Sequence, residues 1–148
     1  MAKLRIKSGD WVVVCDGAKA LILENVGDSV FPNLRTKEVH TQAGQSAREQ
    51  GSDEPGRVFQ SVGSMRSAVE QTDWHEQSEH QFLDALAGRL DAALNAGEAK
   101  TLVIVAAPRA LGILRRAYSP HVRDAIRAEI HKDYVRLPLH EIEKHLAA

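Results

Sequence analysis

The chain has one cysteine, Cys15, among 148 residues. An internal disulfide is therefore excluded, and so is a zinc site built from clustered thiolates. Within the run WVVVC the thiol reads as a small buried hydrophobe. Long apolar runs are equally scarce. The one that follows the basic opening MAKLRIKSGD stops at Cys15, too short for the hydrophobic part of a signal peptide, and no later run approaches a membrane span. The expectation is a soluble, cytoplasmic protein with no membrane partner. An excess of charge of one sign is also missing: 19 Lys and Arg stand against 20 Asp and Glu, for a net charge of -1. No global field draws such a chain to nucleic acid, so attraction has to come from local patches.

The absent motifs narrow the chemistry further. There is no glycine loop of the Walker or dinucleotide kind, no nucleophile elbow, no internal repeat and no low-complexity tract. Seven histidines raise the question of zinc. His75 and His80, like His140 and His145, are five apart, which places them about 140° apart around a helix, whereas the metalloprotease motif needs a spacing of four. No metal and no cofactor are expected.

What is present is material for one α/β domain. A chain of this length removes about 68 to 70% of its unfolded surface from water, enough for a genuine core. Residues 11 to 15 (WVVVC) and 20 to 24 (ALILE) flank the turn pair Asp16-Gly17 and read as a hairpin. A turn at Gly27-Asp28-Ser29 leads to a third strand over 33 to 40, which completes an antiparallel meander. Residues 74 to 95 read as a helix, with Asp73 and Glu76 as a capping box, Phe82, Leu83, Leu86, Leu90 and Leu94 on one stripe, and Gly97 as the stop. TLVIVA at 101 to 106 is apolar on both faces, the mark of a central strand. A short helix from Pro108 to about Tyr118 follows, then a second from the Ser119 cap to about His131 on the repeat Val122, Ile126, Ile130. A short strand over Tyr134 to Leu137 and a terminal helix on Leu139, Ile142 and Leu146 end the series. The order β-β-β, loop, α, β, α-α, β, α suggests a mixed sheet of ribonuclease H-like topology.

That topology invites a search for clustered carboxylates, because two-metal nucleases hold their ions about 4 Å apart. Asp16, Asp73 and Asp133 are the candidates, yet each has a structural reason to be where it is: a turn, a cap and a helix exit. Basic residues carry more information. Arg109, Arg115, Arg116, Arg123 and Arg127 face a single acid, Asp124, over residues 109 to 127. Arg123 and Arg127 are expected one turn apart on a helix, and Arg109 and Arg116 on one face of the helix before it. Such a patch can hold phosphates bidentately, or it can solvate two helices by pairing with Glu129 or Asp124. A polar stretch at about 41 to 72 adds Arg48, Arg57 and Arg66 among Gly44, Gly51, Gly56 and Gly63. So long a connection is either a working loop or a solvated linker. Its glycines permit close backbone approach and its arginines favour a polyanion, a composition that suits a loop inserting into RNA.

Four stretches carry a resemblance: WVVVCDGAKALILE, DEPGRVFQSVGSMRSAVE, LVIVAAPRALGILRR and HKDYVRLPLHEIEKHL. Together they make the chain resemble, nearly end to end, the bacterial family of proteins required for attachment to host cells. That family in turn is similar to the middle domain of archaeal and eukaryotic peptide-release factors, which is ribonuclease H-like and carries a Gly-Gly-Gln loop between its third strand and first long helix. There the glutamine helps water attack the ester of peptidyl-tRNA. Ala43-Gly44-Gln45-Ser46-Ala47 stands at the corresponding place here, with Ala43 in the position of the first glycine, where a Cβ disfavours positive φ.

The resemblance implies a host-attachment-family protein that interacts with the ribosome or another structured RNA inside the cell and affects attachment indirectly. Its contacts would come from Arg48, Arg57, Arg66, Arg109, Arg115, Arg116, Arg123 and Arg127, with Ala43, Gly44, Gln45 and Gly56 as the loop motif. Two other readings remain open: a ribosome-rescue hydrolase of peptidyl-tRNA that uses Gln45 as its catalytic residue, and a protein-binding module whose loop orders on contact. Catalysis is the less expected of these. The free edge of a meander also leaves homo-oligomerisation open.

Overall fold

Five strands form one mixed sheet with helices on both faces in the computed structural model, which describes residues 5–42 and 68–147. Strands β1 (Trp11–Cys15), β2 (Lys19–Asn25) and β3 (Leu34–Thr41) form the expected antiparallel meander. Helix α1 (Ala68–Asn95) leads to β4 (Leu102–Ala106), and the short helices α2 (Pro108–Ala117) and α3 (Pro120–Ala125) lead to β5 (Ile126–Ile130), with α4 (Leu139–Ala147) closing the chain. The strand order is β3-β2-β1-β4-β5, and β4 lies parallel to both β1 and β5.

Alternation within continuous apolar runs builds two cores. Trp11, Val13 and Cys15 of β1, with Leu102, Ile104 and Ala106 of β4, face α1, α2 and α3, where Leu83, Leu86, Leu90, Leu111, Leu114 and Val122 pack on them. Val12, Val14, Val103 and Val105 face the other way, onto Val135 and onto Ile142 and Leu146 of α4. Both central strands are buried at every residue, which is why neither alternates in polarity. α4 is tied to the meander by Leu34 N, which donates to Glu143 Oε2 at 2.7 Å.

Local chemistry sets the turns. Asp16 Oδ1 accepts from Ala18 N and Lys19 N, both at 2.8 Å, and so closes the β1–β2 link. In the β2–β3 link the fully buried Asn25 uses its whole amide: Nδ2 donates to Ile6 O and Asp28 O, and Oδ1 accepts from Gly27 N and Asn33 N. Gly97, at φ 79°, reverses the chain after α1 and lets Glu98 N reach Ala93 O at 2.9 Å.

Three elements differ from the sequence expectation. α1 begins at Ala68 rather than 74, so Asp73 lies inside the helix rather than capping it, and the polar stretch gives way to helix six residues early. The helix expected from Ser119 to His131 stops at Ala125. Ile126, Ala128 and Ile130 also satisfy a period of two, and pairing with β4 satisfies backbone groups that would otherwise line an open sheet edge. Tyr134 to Leu137 is a turn, closed by Leu137 N donating to Tyr134 O at 3.0 Å, and not a strand. The expected count of five strands therefore holds with the fifth placed eight residues too late.

Candidate functional site

The arginines of residues 109 to 127 fall into two groups set by the βαβ crossover. Arg109 sits in the first turn of α2, at the sheet end where β1 and β4 finish. Its Nε and Nη2 donate to Glu79 Oε1 of α1 at 3.1 and 2.9 Å. The Glu79 side chain lies against Gly17, where a Cβ would meet its Oε2 at 2.7 Å. Gln42 anchors to the same turn, its N donating to Ala18 O at 2.8 Å and its Nε2 to Gly17 O at 3.4 Å. Arg109 thus stands beside the root from which the chain leaves β3. The residues that the sequence places on that stretch, Ala43, Gly44, Gln45, Arg48, Gly56, Arg57 and Arg66, lie outside the described residues.

The second group lies toward the far end of α2, six residues or about 9 Å along the axis. Arg115, Arg123 and Arg127, with Tyr118, Ile126, Ala128 and Glu129, line a surface groove of about 490 Å³ between the α2–α3 corner and the edge strand β5. Arg115 Nε and Nη2 donate to Glu129 Oε1 at 3.0 and 2.6 Å. Arg123 Nη2 takes the carbonyl of Arg115 at 3.0 Å and so caps the end of α2. Arg127 is not one helical turn from Arg123, as expected, because it belongs to β5. A register shift opposite Leu102 and Val103 leaves it the extra residue of a bulge, and its Nη1 donates to Asp10 Oδ2 and Arg5 O, both at 2.6 Å. Strand and helix geometry therefore reunite the two arginines at one groove.

Arg116 is exposed, and its side chain makes no hydrogen bond or ion pair among the described residues. Arg109 shares its helix but reaches a different end of the domain, so the two do not form one site. Among the described residues the pairing with Glu129 is realised and that with Asp124 is not.

Tyr118 is the groove residue that sequence reasoning missed. It is buried, and its hydroxyl has no hydrogen-bond partner among the described residues. Burial, and secondarily the Glu129 carboxylate, push its phenol up, so the hydroxyl stays protonated and can donate. No motif marks it: it is the residue before the Ser119 cap. Ser119 itself fixes the corner, accepting from Val122 N at 3.1 Å and donating to Asp91 Oδ1 of α1 at 2.6 Å.

The remaining candidates have structural roles. Asp16 serves the hairpin turn, Asp73 lies within α1, and Asp133 is exposed beyond β5. Among the described residues no group of three or more His, Cys, Asp or Glu is placed to hold a metal ion. Burial, and then Asp16, push the Cys15 thiol up to about 12, which leaves it unreactive at neutral pH. No described helix is long and apolar enough to cross a membrane.

Comparison with known proteins adds three findings. The profile of one family, described as protein required for attachment to host cells, matches residues 11–146. No curated protein matches the chain. Among solved structures, that of S. cerevisiae Dom34, described as a translation termination-like factor involved in RNA quality control pathways and interacting with Hbs1, is similar at 13% identity with a TM-score of 0.43. The match covers 95% of this chain and 33% of that one, so the chain spans about a third of its length.

Proposed function

We propose, from the premise that the chain belongs to the family of proteins required for attachment to host cells, that it is an RNA-contacting module acting on the ribosome or another structured RNA inside the cell, and that its effect on attachment is indirect. The observation that carries this reading is the charge of the groove. On a chain of net charge -1, three guanidinium groups share a concave surface with one carboxylate. The ion pairs of Arg109 and Arg115 are exposed, at 62% and 53% of the arginine side chain. Exposed pairs add little to stability, so a phosphate can displace the carboxylate readily. Arg116 adds a further exposed charge on α2. The glycine and arginine stretch rooted at Gln42, beside Arg109, supplies a second contact region.

The test is co-sedimentation with ribosomes at rising salt. Wild type pellets with ribosomes at low salt and is released as salt increases, while Arg115→Glu with Arg116→Glu stays in the supernatant. Full retention of the double variant removes the arginine surface from the interaction. Capture of a protein that survives ribonuclease, without RNA in the untreated sample, supports a protein-binding module instead.

A second reading rests on the anchored root. Gln42 is held at the sheet end by two hydrogen bonds, so Gln45 starts three residues from a fixed point, a setting suited to presenting a side chain to peptidyl-tRNA. Under this reading the wild-type protein releases peptide from loaded ribosomes and Gln45→Ala does not. Equal rates for the two proteins eliminate it.

A further inference from the structure

The groove holds more hydrogen-bond donors than its own protein acceptors use. Arg115 spends Nε and Nη2 on Glu129, Arg123 spends Nη2 on a carbonyl, and Arg127 spends Nη1 on Asp10 and Arg5. Arg115 Nη1, Arg123 Nε and Nη1, and Arg127 Nε and Nη2 have no partner among the described residues, and each carries N–H donors. Glu129, the carboxylate in the lining, already has Oε1 occupied by Arg115.

We propose that this groove is a pocket for a phosphoryl group borne by a nucleoside, with Arg115, Arg123 and Arg127 donating to its oxygens. Forked donors from three side chains match an oxyanion that offers several oxygens, whereas a carboxylate fills one fork. The groove, about 490 Å³ and open to solvent, leaves room beyond the phosphate itself. Ile126, Ala128 and the Tyr118 ring give that extra room an apolar wall suited to a sugar and base. Two features oppose an anion: the Glu129 carboxylate, which Arg115 holds, and the carbonyl end of α2, which Arg123 answers by donating to the carbonyl of Arg115. The proposal deepens the RNA reading and rests on it for the origin of the phosphate, which is either a free nucleotide or the phosphorylated end of an RNA strand.

Calorimetric titration of the full chain with adenosine 5′-monophosphate, adenosine, and a short RNA with or without a 5′-phosphate tests it. The monophosphate binds about tenfold or more tightly than adenosine, and Arg123→Gln removes that preference. Arg115→Gln weakens the monophosphate several-fold yet leaves the ligand-free melting temperature close to wild type, because the ion pair that it breaks is exposed. A packing role alone would give no such ligand-dependent difference. If the phosphorylated RNA binds best the source is an RNA end, and if the mononucleotide binds as well it is a free nucleotide. Equal binding of monophosphate and adenosine, or identical affinity in wild type, Arg115→Gln and Arg123→Gln, overturns the pocket. Ribosome co-sedimentation that persists in those variants keeps the RNA reading standing without it.

Discussion

Two arginine sites at opposite edges of the sheet use the same side chain to opposite ends. At the β3 edge, Arg89 of α1 donates Nε to Glu38 Oε1 at 3.0 Å, Nη2 to Glu38 Oε2, and Nη2 again to Glu98 Oε1 at 2.8 Å. Its guanidinium carbon lies 5.9 Å from the ring centroid of the buried Trp11. One cation has two carboxylates and an aromatic face. At the β5 edge three cations have two carboxylates, Glu129 in the groove that they line and the buried Asp10 behind it. The ratio of acceptors to guanidinium groups separates a site that holds the fold together from one with donors left over for a ligand.

The largest expected effect breaks the first site. Arg89→Ala leaves the half-buried Glu38 carboxylate without its main partner and uncovers Trp11, and we expect a loss of about 3 kcal/mol in urea denaturation. For a chain of this size that is a fall of roughly 6 to 12 °C in melting temperature.

The pH dependence sharpens the same contrast. Hydrogen bonds from Arg89, opposed by burial and assisted by His40, hold the Glu38 carboxyl at about 2, against 4.5 for the free group. Its contribution is complete above the unfolded value and is lost as pH falls from about 4.5 toward 2. Acid titration of wild type therefore shows a loss of stability in that window that is absent from Arg89→Ala. At the other edge, Arg115→Glu with Arg116→Glu leaves the melting temperature close to wild type, while ribosome binding drops about tenfold or more. Arg109→Gln gives the smallest change, breaking one exposed pair at the root of the β3–α1 stretch with little effect on unfolding.

Much of this architecture is legible in the residues. WVVVC and ALILE could only be strands with the hairpin turn Asp16-Gly17 between them, LVIVA one covered on both faces, and the leucine stripe of α1 named its buried face. The fifth strand was hidden because Val122, Ile126 and Ile130 fit a helical spacing as well as Ile126, Ala128 and Ile130 fit a strand. Only the unpaired edge of β4, a tertiary fact, decides between them. The start of α1 was hidden by Asp73 and Glu76, a genuine capping pattern overridden inside a longer helix. For the site, the arginines were visible as a cluster in sequence, but their division was not. Arg109 joins Glu79 across 30 residues and Arg127 joins Asp10 across 117, distances that no local pattern spans. Tyr118 carried no signal, since an unsatisfied hydroxyl exists only once the chain is packed around it.

The most direct test of the account measures affinity for ribosomal RNA over a range of monovalent salt in wild type and in Arg115→Glu with Arg116→Glu. Each lost phosphate contact flattens the plot of log affinity against log salt by about 0.7 to 0.9, so the double variant should bind more weakly with a slope shallower by roughly one to two. Two superimposable lines would contradict the claim that the surplus cations at the β5 edge meet a polyphosphate.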